Sequence, residues 1–161
     1  MRVIELVFYN SDTNLKIVVP LEQLSLLHKL CEESNPYETG GIIIGRYSDD
    51  GSVAFVSEMT NSPNDSIKKT TAFKRGIVEL QKKLDMLWDK SYYYIGEWHY
   101  HPNSSSFPSE YDIKQMISLS QSKSLKCPEP ILIIIGGNKE YWTYSVCVII
   151  KDKVFQFCRV E

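Results

Sequence analysis

Gly96-Glu97-Trp98-His99-Tyr100-His101-Pro102, followed by Pro108-Ser109-Glu110-Tyr111-Asp112, holds the residue types in this chain best suited to chemistry. Tyr92-Tyr93-Tyr94-Ile95 ahead of it is aromatic and β-branched, which favours a strand. Side chains two apart on a strand share a face, so His99 and His101 project together, with Trp98 and Tyr100 opposite. Pro102 has no N–H to give and ends the ladder. After a loop of Asn, Ser and Pro, Ser109 is placed as a helix N-cap and Asp112 as the third helical residue. Two imidazoles and one carboxylate make three protein ligands and leave a fourth position for water. That is the composition of a catalytic zinc site rather than a structural one. Ser109-x-x-Asp112 is also close to a capping box, which needs no metal. The two roles are compatible: a hydroxyl can cap through one lone pair and still face the site.

Such chemistry also needs a general base within reach of the attacking water. The residues leave two carboxylates open for it. Glu97 stands two positions before His99 and so shares the histidine face. Glu38 lies in a loop between Pro36 and the strand start at Gly40-Gly41.

Glu38, His99-x-His101-Pro102 and Ser109-x-x-Asp112 together resemble the JAMM motif of the JAB/MPN zinc metalloproteases, which remove ubiquitin and ubiquitin-like proteins. Gly40-Gly41-Ile42-Ile43-Ile44-Gly45 is similar to that family's first core strand, and Gly96 to its glycine before the histidines. The likeness runs from about Glu22 to Asn138. It implies that His99, His101 and Asp112 bind one Zn2+ per chain. It also implies that Glu38, rather than Glu97, is the general base and that Ser109 helps hold the tetrahedral intermediate. The implied fold is α/β of the MPN (cytidine-deaminase-like) type, a mixed curved β-sheet flanked by helices. Tyr100 departs from the Ser or Thr of many members, and Glu97 from the aromatic residue of many eukaryotic ones.

The chain lacks the obvious insertions that eukaryotic deubiquitinases use to grip ubiquitin. It is similar to stand-alone bacterial JAB peptidases, including those encoded beside ubiquitin-like E1/E2 enzymes in CBASS-type antiphage operons. The implied activity is a zinc-dependent isopeptidase or peptidase acting after an extended C-terminal tail. The implied partner is a ubiquitin-like protein or an E1/E2-conjugated nucleotidyltransferase, the latter freed from its lysine conjugates. Processing of a ubiquitin-like or sulfur-carrier protein is the alternative. A non-catalytic MPN scaffold is a third reading, against which the intact Glu38, His99, His101, Ser109 and Asp112 stand. A nucleobase deaminase needs His-x-Glu and then Pro-Cys-x-x-Cys, and here Cys127-Pro128 stands alone. A tail groove is expected between the Thr60–Thr71 loop, the Asn103–Pro108 loop and the sheet edge, with the tail adding as a strand.

Stepping outward from the motif, 161 residues suit a single domain over 1–161 with one sizeable core. A hydrophobic content of 43% and a charged content of 24% are those of an ordinary globular protein. A net charge of −2 makes no case for a general nucleic-acid binder. No stretch is long and apolar enough to span a bilayer, and Met1–Asn10, with Glu5 inside it, is not a signal peptide. Cys31, Cys127, Cys147 and Cys158 form no Cys-x-x-Cys pair and are expected reduced, in the cytoplasm.

The remaining elements follow from pattern. Val3–Tyr9 and Leu15–Val19 are expected as a hairpin. Leu21–Glu33 is expected as a helix with Leu24, Leu27, His28 and Cys31 on one side, His28 partly buried and no ligand. Gly40–Tyr47 and Ser52–Met59 are strands joined by a turn at Asp49-Asp50-Gly51. Thr60–Thr71 is expected as a loop and Lys74–Asp89 as a helix striped by Ile77, Leu80, Leu84 and Leu87. Ile113, Met116 and Ile117 turn the Ser109 helix toward the core. Ile131–Ile135, Glu140–Ile150 and Val154–Val160 are strands. Lys68, Lys69, Lys74 and Arg75 form a basic cluster expected to be solvated, and the Pro102–Pro108 loop is expected to be mobile beside the site.

Overall fold

The structure is a computed structural model and describes residues 4–160. In chain order its elements are β1 (Glu5–Asn10), β2 (Leu15–Pro20), α1 (Leu21–Ser34), β3 (Thr39–Tyr47), β4 (Val53–Met59), β5 (Ile67–Lys68) and β6 (Phe73–Lys74). They continue as α2 (Leu80–Trp88), β7 (Tyr93–Pro102), α3 (Glu110–Ser120), β8 (Ile131–Asn138), β9 (Tyr141–Ile150) and β10 (Lys153–Val160). Val3, expected to open the first strand, lies outside the described residues. Among the described residues no helix is long and apolar enough to cross a membrane.

Eight strands form one mixed sheet in the order β1-β10-β9-β8-β7-β3-β4-β2, and β1 pairs back onto β2. The curved sheet expected from the sequence thus closes into a barrel. β2 with β4 and β7 with β8 are parallel, and the other neighbours are antiparallel. Closure leaves no open edge in this sheet, so the expected sheet-edge wall of a tail groove is not there. The edges that remain belong to the separate β5–β6 ribbon.

β7 lies between β3 and β8, and its pairing with β3 slips between Ile43 and Ile44. This bulge changes which residues share a face. Tyr93 and Ile95 before it, and Trp98 and Tyr100 after it, all join the barrel interior. Tyr94, Glu97, His99 and His101 are left on the outer face. The Trp98 indole N–H is satisfied inside by the Thr60 carbonyl at 2.7 Å.

Each helix buries one apolar stripe. Leu24, Leu27 and Cys31 of α1 join the interior cluster. Met116 of α3, flanked by Ile113 and Ile117, packs on Leu132, Ile134, Cys147 and Ile149. Leu80, Leu84 and Leu87 of α2 pack on Ile42, Ile44, Tyr94 and Cys127.

The segment between β4 and α2 differs from its expected form. Ile67–Lys68 and Phe73–Lys74 pair as a ribbon inside and just beyond the expected loop, and the helix begins at Leu80 rather than near Lys74. The Asp65 carboxylate accepts from the amides of Ile77 and Val78 at 3.0 and 3.1 Å, and the Ser66 hydroxyl accepts from Gly76 N–H at 2.9 Å. These bonds offer the backbone partners that a helix would otherwise supply. Gly76 is required there, because a Cβ would stand 2.0 Å from Asp65 Oδ1. Ile77, placed by pattern on the buried stripe, is 73% exposed.

Candidate metal centre

His99 and His101 leave the outer face of β7 toward the first turn of α3. His99 Nδ1 lies 3.2 Å from Asp112 Oδ1, and His101 Nε2 lies 3.1 Å from Asp112 Oδ2. All three residues are buried. Ser109 and Asp112 form the full capping box: Asp112 N–H donates to Ser109 Oγ at 3.1 Å, and Ser109 N–H donates to Asp112 Oδ2 at 2.8 Å. The cap therefore aims the carboxylate, and its oxygens still face both imidazoles.

The donor set fits a cation. His101 Nδ1 stands 3.0 Å from the Ser105 carbonyl, which can only accept, so Nδ1 carries the proton. The neutral ring then presents its Nε2 lone pair to Asp112 Oδ2, acceptor facing acceptor. Only a positive charge on or between these atoms resolves that contact. A backbone carbonyl fixing the far nitrogen is the usual outer support of a metal-ligating histidine. The two separations are close to the about 3.3 Å kept by two donors on a tetrahedral zinc ion. Among the described residues the side chains do not form a ready-spaced cage of three His, Cys, Asp or Glu ligands; the imidazoles rest directly on the carboxylate. Burial works to raise the Asp112 carboxyl, but its bonds to His101 and His99 and from Ser109 N–H hold it well below the usual carboxylate range. Burial likewise opposes charge on His101, and the Asp112 carboxylate overcomes it and raises the imidazole above its ordinary value.

Two glycines and a loop make room for this arrangement. A Cβ on Gly40 would meet Trp98 O at 2.3 Å and His99 Cδ2 at 3.0 Å, so the bare backbone of β3 seats the His99 ring. Phe73 closes over that ring edge-on, with centroids 5.6 Å apart. A Cβ on Gly136 would stand 2.6 Å from both Ser104 O and Ser106 N. The histidine loop thus packs on β8 through the buried Ser106, which holds Ser105 in place for His101, while Phe107 is 76% exposed.

Glu38 immediately precedes β3. The pairing of Thr39 with Tyr100, carried one residue further, sets it beside His101. Its N–H donates to the Lys69 carbonyl at 2.8 Å, and its side chain is half-buried. Burial raises the Glu38 carboxyl; His101 and His99 draw it down and Asp112 adds to the rise. Glu97, also on the histidine face, is 2% exposed and ion-paired to Arg75.

The matches to known proteins agree with this geometry. Residues 20–147 match the family model for prokaryotic homologs of the JAB domain. The chain belongs to the prokaryotic JAB family. A CD-NTase/cGAS isopeptidase of Enterobacter hormaechei is 36% identical over 138 residues, which is 86% of this chain and 77% of that protein. A CD-NTase/cGAS isopeptidase of Vibrio cholerae is 27% identical over 150 residues, 88% of each chain. A probable metalloprotease of Sinorhizobium fredii is 28% identical over 130 residues, 78% of this chain and 79% of that one. The solution structure of protein DSY2949 from Desulfitobacterium hafniense gives a TM-score of 0.62 at 18% identity, covering 84% of this chain and 85% of that one. That last likeness speaks for the fold alone.

This JAB domain is therefore a peptidase of a metal-dependent family. Within it, spacing singled out His99, His101, Ser109 and Asp112, the family resemblance added Glu38, and the fold brings all five together. Spacing missed the Ser105 carbonyl, the Phe73 ring and the Lys69 carbonyl, none of which carries a local signal. It also set Arg75 in a solvated basic cluster, whereas its side chain is only 13% exposed and pairs with Glu97. His28 is no ligand: its ring stacks on Trp142 and bonds the Tyr144 hydroxyl at 2.6 Å.

Proposed function

We propose that this protein is a zinc isopeptidase that releases a nucleotidyltransferase of the CD-NTase/cGAS type, or a linear equivalent, from conjugates formed through its C-terminal tail. Three relatives that are CD-NTase/cGAS isopeptidases support this substrate class, and an antiphage setting, implied by the family resemblance, is part of the same proposal. The observation that carries the reading is the seating of both β7 imidazoles on the two oxygens of a helix-capping carboxylate, with Glu38 at the adjoining strand start. His99, His101 and Asp112 would hold one zinc ion per chain.

When bound, zinc lowers the pKa of a coordinated water to about 7 and polarises the carbonyl of the scissile amide. Glu38 takes the proton that the attacking water sheds and returns it to the leaving amine, a lysine side chain in an isopeptide. Ser109 donates a hydrogen bond from its hydroxyl to the oxygen that gains charge, while its lone pair keeps the helix cap. Asp112, held low by His101, His99 and the Ser109 amide, offers its site an ionised carboxylate. Phe73 packs edge-on against His99 and the Ser105 carbonyl fixes His101 Nδ1, so both imidazoles are held in orientation.

The substrate tail is read as lying between the β5–β6 ribbon and the Asn103–Pro108 loop. With the barrel closed, the ribbon supplies the strand edge on which an extended tail pairs by backbone hydrogen bonds. Such a groove grips the acyl side and leaves the amine side loosely held. The domain assignment over 1–161 and a reducing, cytoplasmic setting belong to the same proposal, and all four cysteines are free in the structure.

The test is a matrix of fusions. One CD-NTase tail is joined to several leaving sequences, and several tails, a ubiquitin-like and a sulfur-carrier tail among them, are joined to one. Cleavage after the terminal tail residue, with kcat/KM following the tail, supports the proposal. A rate that follows the leaving sequence and ignores the tail sinks it. Chelation followed by zinc addition should remove and restore the activity.

A further inference from the structure

The β5–β6 ribbon shares no ladder with the barrel, so something other than sheet pairing sets its place. Three contacts hold it over the site. Phe73 stands edge-on against His99. The Lys69 carbonyl accepts from Glu38 N–H at 2.8 Å. Just beyond β6, Arg75 Nε donates to Glu97 Oε1 at 2.5 Å, with side-chain exposures of 13% and 2%. The first two contacts touch a ligand and the base directly, and each is weak alone. The third is a buried ion pair anchored two residues before His99. Arg75 is itself oriented by a bond from Nη1 to the Gly76 carbonyl at 2.8 Å. Beneath the pair, Glu97 Oε2 and the Tyr94 hydroxyl are buried without a hydrogen-bond partner of good geometry.

A buried ion pair is a poor device for stability, because desolvation offsets most of its attraction. It is a good device for position, since a charge-assisted bond fixes direction and distance together. The segment that carries the ribbon is closed at its base, where Asp65 bonds Ile77 and Val78 and Ser66 bonds Gly76. These bonds tie the ribbon to the segment that holds Arg75, and Arg75–Glu97 is the ion pair that joins that segment to the histidine strand.

We infer that Arg75 and Glu97 are positioning residues that register the tail-binding ribbon on the metal strand, so that a tail gripped by the ribbon arrives in line with Glu38 and His99. This rests on the isopeptidase reading above. Neither residue touches the reacting atoms. Both act through the ribbon.

The experiment uses the full chain with zinc and compares Arg75→Ala, Arg75→Lys, Glu97→Gln and the charge-swapped Arg75→Glu/Glu97→Arg. Three readouts are taken: kcat and KM on the best tail fusion, zinc content, and hydrogen exchange at the Glu38 amide in zinc-free protein. Misalignment of bound substrate lowers kcat, so Arg75→Ala and Glu97→Gln should each lose about tenfold in kcat with little change in KM. Zinc content should stay at the wild-type level. Exchange at the Glu38 amide should quicken by about tenfold as its bond to Lys69 opens more often. Arg75→Lys should recover part of both losses. If the variants only lower the melting temperature, with kcat of the folded protein and Glu38 exchange unchanged, the pair is merely structural and the inference is wrong. Should wild-type protein cleave no tail fusion, the isopeptidase reading fails, yet the exchange measurement still decides whether the pair registers the ribbon. Glu97→Gln is nearly isosteric and keeps a hydrogen bond to Arg75, so it guards against loss of folding in Arg75→Ala.

Discussion

Glu38 and Glu97 are the two carboxylates that the residues offered as a base, and the fold treats them in opposite ways. Glu97 sits mid-strand on the outer face of β7, 2% exposed, with one oxygen taken by Arg75. Glu38 sits at the mouth of β3, half-buried, held by its backbone N–H while its carboxylate stays unclaimed by any cation in the described residues. Burial raises both carboxyls. The difference is freedom. A carboxylate locked into an ion pair can orient its neighbours but has no room to carry a proton in and out. A carboxylate fixed only at its backbone can do both. Proximity to the histidines alone does not separate the two; their partners do.

The comparison breaks most completely if the ligands are not ligands. His99→Ala and His101→Ala should abolish cleavage and bound zinc together, read by metal analysis beside the fusion assay. Either variant retaining stoichiometric zinc would remove the centre around which both glutamates are judged.

Next in size is the glutamate contrast itself. Glu38→Gln should keep zinc and lose roughly 10²–10⁴ in kcat, the span of a general base. Glu97→Gln should lose about tenfold, as positioning requires. A reversed order would assign the base to Glu97 and leave Glu38 as a loop residue.

Ser109→Ala sharpens the comparison from the other side of the site. Loss of an oxyanion donor should lower kcat by roughly 10²-fold. Loss of the cap should destabilise the fold by about 1 kcal/mol, seen as a lower melting temperature. Ser109→Asp restores a cap without a hydroxyl donor, so stability should return and activity should not.

The smallest effect is a control on a carboxylate with no chemistry. Asp50 is fully exposed in the β3–β4 turn, and the Ser52 amide with the hydroxyls of Ser52 and Ser48 lower its pKa to about 2. Its folded value lies below the ordinary value of about 3.9. Its contribution is therefore present above that value and is lost as pH falls toward 2. Amide exchange in the turn should quicken over that window, and Asp50→Asn should remove the pH dependence while leaving catalysis intact.

What the sequence determined by itself was local. The period of a strand put His99 and His101 on one face, because alternation needs no knowledge of the partner strand. The Ser109–Asp112 box was readable because a cap closes within one helical turn. The stripes of α1 and α3 followed from helical spacing. The family pattern supplied Glu38, which no local signal could rank above Glu97. What the tertiary structure decided was everything that depends on distant residues meeting. The β7 bulge moved Tyr94 onto the face of Glu97, since register is set by β3. Closure of the barrel removed the sheet edge, since that needs β1 to find both β2 and β10. Asp65 held Ile77 out of the helix that its own pattern favours. Arg75, one cation among several in sequence, was drawn from the solvated surface because a buried carboxylate 22 residues away needs an opposite charge.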